Sequence, residues 1–329
     1  MIAHETLDVA PTPSRSTRAF WIVFVNLALL AAFAPSADTA AWAPAVATWI
    51  TIVVAIVFQA VPFLVLGVAL SGLIAGVVSP ASLARAIPSR PSLAVPVAGL
   101  AGAFLPGCEC SSVPVAGRLV SQGAPASSVV TFLLAAPAIN PVVLVATAVA
   151  FPGQPRMVLA RFVASLVAAI AVGLVWERVG RDEWLGRARR PIEDRGSRWL
   201  NFVATVEHDF LHAGGFLVLG AMTAATLKVA VPSSVLDSIA GHGIASVLGM
   251  AVLAVVLAVC SEADAFVAAS FTQFSVTAKL VFLVVGPMVD LKLIAMQIGV
   301  FGRAFASRFA PLSFGMAVTV AVVTAKVLL

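Results

Sequence analysis

Cys108, Cys110 and Cys260 are the only cysteines in the chain and its most chemically specific residues. Thiolates bind soft ions such as Cu(I) or trivalent arsenicals, so three sulfurs brought together form a candidate soft-ion site. A buried free cysteine also serves as a small hydrophobe, and spacing alone leaves both uses open. Three cysteines in apolar surroundings do not make an extracellular disulfide scaffold. Charged residues cluster with them: Glu109 between the first two thiols, Glu262 and Asp264 just after the third, and Asp290 and Lys292 further on. An Asp or Lys at the centre of a membrane helix costs roughly 2.5–3.5 kcal/mol, so such groups persist when paired, protonated or facing water. The candidate substrate contacts are therefore Cys108, Glu109, Cys110, Ser111, Ser112, Asn140, Cys260, Ser261, Asp290 and Lys292. Glu109, Glu262 and Asp264 are the candidate proton carriers. Lys292 neutralises one of the acids; on a regular helix it would not face Asp290 two residues away, so their contact needs an unwound segment or other partners.

The elements that must carry these residues are apolar runs with breaks. About 20 apolar residues span a bilayer. Stretches 45–78, 157–176, 199–229, 278–301 and 310–328 meet that length, while 93–122, 126–151 and 245–274 are long but interrupted. The breaks fall at Pro106-Gly-Cys-Glu-Cys110, at Pro137-Ala-Ile-Asn-Pro141 and at Cys260-Ser-Glu-Ala-Asp264. Arms of about 15 residues at 1.5 Å per residue are short for a crossing. They read as helical hairpins, whose non-helical turns are tolerated at depth only inside protein or beside water. In the first hairpin Ser111 or Ser112 is the expected N-cap of the second arm, with Pro114 in an early helical position. In the second, Ser261 is the expected cap, with Glu262 and Asp264 in the first turn, where the helix dipole favours carboxylates.

Composition agrees with lipid as the main solvent. The 329 residues are 61% hydrophobic and 11% charged, against about 45–50% and 25% in soluble domains. A net charge of +5 raises the question of nucleic acid. The basic residues instead sit in short loops with no interleaved aromatics, a positive-inside pattern that excludes nucleic acid as a partner. With the Arg-rich stretch 177–198 placed in the cytoplasm, 14 Lys and Arg fall inside and 5 outside, the latter including Arg156, Arg161 and Lys228. Residues 19–34 read as an uncleaved first membrane helix with a cytoplasmic N-terminus, rather than a secretory signal. The expected organisation is 1–44 as N-terminus and first helix, 45–176 as a first repeat, 177–198 as a linker and 199–329 as a second repeat.

The repeat rests on residue matches. At an offset of 150, Cys110 meets Cys260, Ser111 meets Ser261, Pro137 meets Pro287, Asn140 meets Asp290 and Phe151 meets Phe301. At an offset of 153, Phe63-Leu-Val-Leu-Gly67 meets Phe216-Leu-Val-Leu-Gly220. Counting crossings makes 45–78 and 199–229 run in opposite directions. The fold expected is thus an all-α polytopic membrane protein of two inverted-topology repeats, each with a broken hairpin, plus an extra N-terminal helix. Inverted repeats with broken helices at matching positions point to a transport site at the repeat interface. Glu207, His208, Asp209 and His212 read as a polar cytoplasmic entry, with His212 matching Gln59 in the repeat.

Pro106-Gly-Cys-Glu-Cys-Ser-Ser-Val-Pro-Val-Ala-Gly-Arg-Leu119 and Thr131-Phe-Leu-Leu-Ala-Ala-Pro-Ala-Ile-Asn-Pro-Val142 resemble the signatures of the ArsP-type predicted permeases. Cys260-Ser-Glu-Ala-Asp264 and Gly286-Pro-Met-Val-Asp-Leu-Lys292 resemble their second-half signatures. The resemblance runs from about residue 50 to the C-terminus. It implies a bacterial inner-membrane permease, and it brings in arsenical resistance, since some members export trivalent organoarsenicals. The expected function is secondary transport, by efflux, of a small thiophilic metalloid or metal species. No cofactor and no enzymatic reaction are called for, and no nucleotide-binding motif is visible. Partners are the solute, the bilayer and either a second copy or a partner subunit. The competing readings are an intramembrane redox or metal-handling protein using the Cys-x-Cys pair, and a permease for a different solute.

Overall fold

The computed structural model describes residues 39–77, 88, 90–104, 108–185, 188, 198–230 and 243–329. The expected helix at 19–34, the Pro106-Gly107 step and most of the Arg-rich stretch beyond residue 188 lie outside them. The described residues are helical, with no β-strand among them. In chain order the helices are α1 Thr39–Val77, α2 Pro91–Gly102, α3 Glu109–Ser121, α4 Ala126–Ile139, α5 Pro141–Ala150 and α6 Pro155–Val179. A 3₁₀ turn at Asp182–Leu185 precedes α7 Arg198–Ala230, α8 Gly243–Leu257, α9 Asp264–Ser270, α10 Val276–Val285, α11 Leu291–Val300 and α12 Arg303–Leu328.

Five helical stretches among the described residues are long and apolar enough to cross a membrane: Pro44–Ile74, Ala126–Ala150, Pro155–Val179, Thr205–Val229 and Arg303–Leu328. They establish a multi-pass membrane protein, all-helical as expected. The interrupted stretches resolve into short helices. At 1.5 Å per residue α2 and α3 extend about 18–20 Å and α9 about 10 Å, each less than the ~30 Å hydrocarbon core.

Two breaks have a common cause. Asn140 is extended, and its side chain accepts the Val143 N–H at 3.0 Å to open α5. Asp290 is extended and accepts the Leu293 N–H at 2.5 Å to open α11. Asn140 ends one helix and caps the next, whereas α10 already ends at Gly286 and Asp290 caps only α11; in each break a proline lies nearby that cannot donate to the turn before it.

The helix starts at the two cysteine-bearing turns differ from expectation. Cys108, not Ser111 or Ser112, is the N-cap residue of α3, and it makes no side-chain cap bond. Ser111 Oγ donates back to the Cys108 carbonyl at 2.8 Å, and Ser112 Oγ to the Glu109 carbonyl at 3.1 Å. The helix therefore begins earlier, with Glu109 in its first turn where the dipole favours a carboxylate, and Pro114 falls in the helix interior. Ser261 likewise does not cap: α9 starts at Asp264, after Ala263. Glu262 lies before the helix rather than in its first turn.

Packing is organised by four long helices. Trp49 Nε1 donates to Thr226 Oγ1 at 3.0 Å and Ser71 Oγ to Asp209 Oδ2 at 2.8 Å, so α1 and α7 lie antiparallel. Trp176, near the end of α6, packs edge-on against Phe305 and Phe309, near the start of α12, with centroids 5.2 and 5.5 Å away. That pair is antiparallel too. The glycines that close the shared Phe-Leu-Val-Leu-Gly segments bring these long helices onto the breaks. A Cβ on Gly67 would fall 2.5 Å from Ser111 Cα, and one on Gly220 would fall 2.6 Å from Lys292 Cα. No side chain larger than hydrogen fits at either contact without moving a backbone.

Candidate functional site

The site is built where the starts of α3, α9 and α11 meet. Cys108, Glu109, Cys110, Ser111, Ser112, Asn140, Cys260, Ser261, Asp264, Asp290 and Lys292 are all buried. Sulfur atoms of Cys108 and Cys260 and a carboxylate oxygen of Glu109 lie within 4.8 Å of one another. Cys110, also buried, is not one of this three-residue group. All three cysteines are free thiols. Residues 152 positions apart in sequence, Cys108 and Cys260, thus share one pocket of two sulfurs and an oxygen.

Two buried ion pairs hold this arrangement. Lys292 Nζ bonds Glu109 Oε1, with Asp290 Oδ2 a further 3.8 Å contact. Arg161 Nη2 pairs with Asp264 Oδ2 at 2.6 Å and also reaches the Ser261 carbonyl, while its Nη1 donates to Thr147 Oγ1 at 2.8 Å. Both pairs join residues on opposite sides of the Arg-rich stretch. Lys292, on α11, grips the first hairpin; Arg161, on α6, grips the second. Lys292 meets the capping Asp290 at the edge of an unwound step and finds its main partner 183 residues away.

Arg161 is the residue of this buried cluster that sequence reasoning misses. Counting crossings places it with the outer loop charges, yet it is 0% exposed. The available signal is its place inside the apolar run 157–176, where an unpaired guanidinium is not tolerated. Glu262 stands apart from both pairs. Its Oε2 accepts the Cys260 thiol at 2.9 Å, and its Oε1 has no partner among the described residues. Asp290 Oδ2, Asp264 Oδ1 and Glu109 Oε2 are also buried without a hydrogen bond among the described residues. Asn140, by contrast, spends its side chain on backbone groups of its own break, donating to Ala136 O at 3.1 Å.

A second polar group lies towards the far end of α3. Arg118 approaches Asp209 Oδ2 at 3.6 Å, where Ser71 also donates. His208 lies 3.3 Å from Asp209, and His212 stacks on His208 and bonds the Gly299 carbonyl at 2.9 Å. Asp209 and His212 of the expected polar entry thus sit at an interhelical junction of α1, α3, α7 and α11, with Glu207 and His208 exposed beside it. It contributes no residue to the thiol cluster.

Residues 45–327 match the ArsP_1 family, described as a predicted permease. The chain belongs to this family. It is 36% identical over 262 residues to the UPF0718 protein YcgR of Bacillus subtilis (strain 168), covering 78% of this chain and 89% of that one. It is 30% identical over 268 residues to a putative two-component membrane permease complex subunit of Streptococcus mutans, covering 79% of this chain and 89% of that one. No solved structure matches. Family and fold together make the chain a membrane permease, and the cysteine-bearing breaks lie within the matched region.

Proposed function

We propose that this permease is a secondary transporter of the cytoplasmic membrane that exports a small thiophilic solute, with Cys108 and Cys260 as a two-sulfur clamp. The observation that carries the reading is the convergence of these two thiols with Glu109 at helix breaks. A trivalent organoarsenical suits the clamp chemically. Two thiols displace its two hydroxyl groups as water, forming two As–S bonds and releasing no net charge. A two-coordinate soft cation suits the same sulfurs. The antiparallel packing of α1 on α7 and of α6 on α12 supports reading residues 45–176 and 199–329 as inverted repeats, with the site at their interface. The basic loop bias supports a cytoplasmic N-terminus.

Charge balance supports proton coupling. Four acids, Glu109, Glu262, Asp264 and Asp290, face two buried cations, Arg161 and Lys292. Ionised together they leave a net negative charge at membrane depth even with the half-buried Lys228 counted, a costly state that bound protons relieve. Glu109 and Asp264 are committed to ion pairs, so Glu262 and Asp290 are the carriers the geometry favours. Uptake of methylarsenite into everted vesicles tests both claims. The flux should rise several-fold with an inward-acid gradient and fall to background in Cys108→Ser and Cys260→Ser; equal flux with and without the gradient removes the coupling. The name of the streptococcal relative supports adding a partner subunit, which reconstitution of the purified chain alone tests.

A further inference from the structure

The three thiols differ in what borders them. Cys108 and Cys110 are 0% exposed, whereas Cys260, at 4%, lines a cavity of about 170 Å³. The cavity lies between Ile52, Ile56 and Gln59 of α1, Lys228 in the last turn of α7, and Cys260 and Lys292. At this end the Trp49–Thr226 bond joins the antiparallel pair of long helices, and the cavity lies beside that contact. At the other end the two helices pack closely. A Cβ on Gly72 would fall 2.9 Å from the Phe202 and Val206 side chains, and Ser71 and Arg118 both close onto Asp209. The cavity therefore lies at one end of this helix pair and the close Gly72 packing at the other.

Among the described residues, two cations and no carboxylate line the cavity. Of the two cations lining the cavity, Lys292 is answered by Glu109 and Asp290. Lys228 is half-buried and has no carboxylate within ion-pair distance among the described residues. Glu262, bonded to the Cys260 thiol, is not part of the lining. A helix C-terminus welcomes a lysine, which accounts for Lys228 in sequence but not for its place on a cavity wall. The cavity has room for a solute of few heavy atoms.

We propose that this cavity is the vestibule joining Cys260 to the membrane face remote from the Arg-rich stretch, and that Lys228 fits it to small neutral or anionic solutes and against cations. The proposal rests on the two-thiol clamp and adds which thiol meets water and which charge class passes.

Membrane-impermeant methanethiosulfonates of opposite charge, sulfonatoethyl and trimethylammoniumethyl, test it on the full chain in sealed vesicles of each orientation. One background keeps only Cys260 (Cys108→Ser, Cys110→Ser), and another keeps only Cys108 (Cys110→Ser, Cys260→Ser). Cys260 should be modified from the remote face alone. Its rate, normalised to free cysteine, should be about ten-fold higher for the anionic reagent, a modest case of electrostatic focusing. Lys228→Glu should invert that preference, Lys228→Gln should abolish it and Lys228→Arg should keep it, while Cys108 stays unmodified. Normalised rates blind to charge in all four, or Cys108 reacting as fast as Cys260, would overturn the proposal. Charge-blind labelling with cysteine-dependent transport intact removes the vestibule alone. Loss of cysteine-dependent transport removes the clamp beneath it.

Discussion

At the scale of single residues, the account turns on two cations that each hold a distant hairpin. Breaking a buried ion pair from one side leaves the other charge uncompensated, at a cost of about 3–5 kcal/mol. Glu109→Gln and Lys292→Met should each destabilise the protein by that amount in denaturant unfolding of the detergent-solubilised chain. The double variant should recover most of the loss, because two neutral groups of similar volume need no partner. Arg161→Met and Asp264→Asn should behave in the same way, which would separate Arg161 from a loop charge that tolerates substitution. The sequence shows that charges sit in apolar runs and that Lys292 does not pair simply with Asp290 on a regular helix. It does not show that Glu109 is the partner, because the contact spans 183 positions. The serines illustrate the converse. Ser111 and Ser261 fit the local preference for a cap, but a carboxylate at the first turn and the packed break set the actual helix starts.

Elements are legible in the sequence where local chemistry decides them. The break at Asn140 follows from a capping side chain beside Pro141, whereas 278–301 reads as one span and the structure divides it at 286–290, where Asp290 caps α11. The brevity of α9 is not legible either, since an apolar stretch after Asp264 carries no local stop signal. Close approach of elements gives the sharper test. Gly67→Val and Gly220→Val would drive a side chain into the backbone at Ser111 or Lys292. Each should cost about 1–3 kcal/mol, as overpacking does, and should weaken transport by shifting the hairpin. Gly215→Ala is the matching control: nothing lies within 4 Å of its added Cβ, and in a helix interior the change should stabilise by about 0.5–1 kcal/mol. Thermal unfolding of the three variants separates close packing from a general intolerance of larger residues. Ala258, at φ 47°, follows the last turn of α8 beside the cavity. Ala258→Gly should relieve that left-handed strain, raising the midpoint of unfolding slightly.

At the scale of the whole molecule, a pair of antiparallel long helices on each flank encloses a polar centre built from both ends of the chain. Composition and the breaks make the membrane class and the helical architecture readable from the amino-acid sequence alone. The convergence of Cys108 with Cys260 is readable there only as an expectation of the repeat, because sequence separation carries no distance. The structure supplies the distance, and with it a specific claim: two thiols handle one solute together. The most direct measurement is methylarsenite tolerance and export in a sensitive host carrying the full chain, its Cys108→Ser, Cys110→Ser and Cys260→Ser variants, and the Cys108/Cys260 double variant, all at matched membrane levels. The account predicts that loss of either Cys108 or Cys260 abolishes export, that the double variant is no worse than either single, and that Cys110→Ser retains a substantial part. Full export by a permease lacking both Cys108 and Cys260 would contradict it.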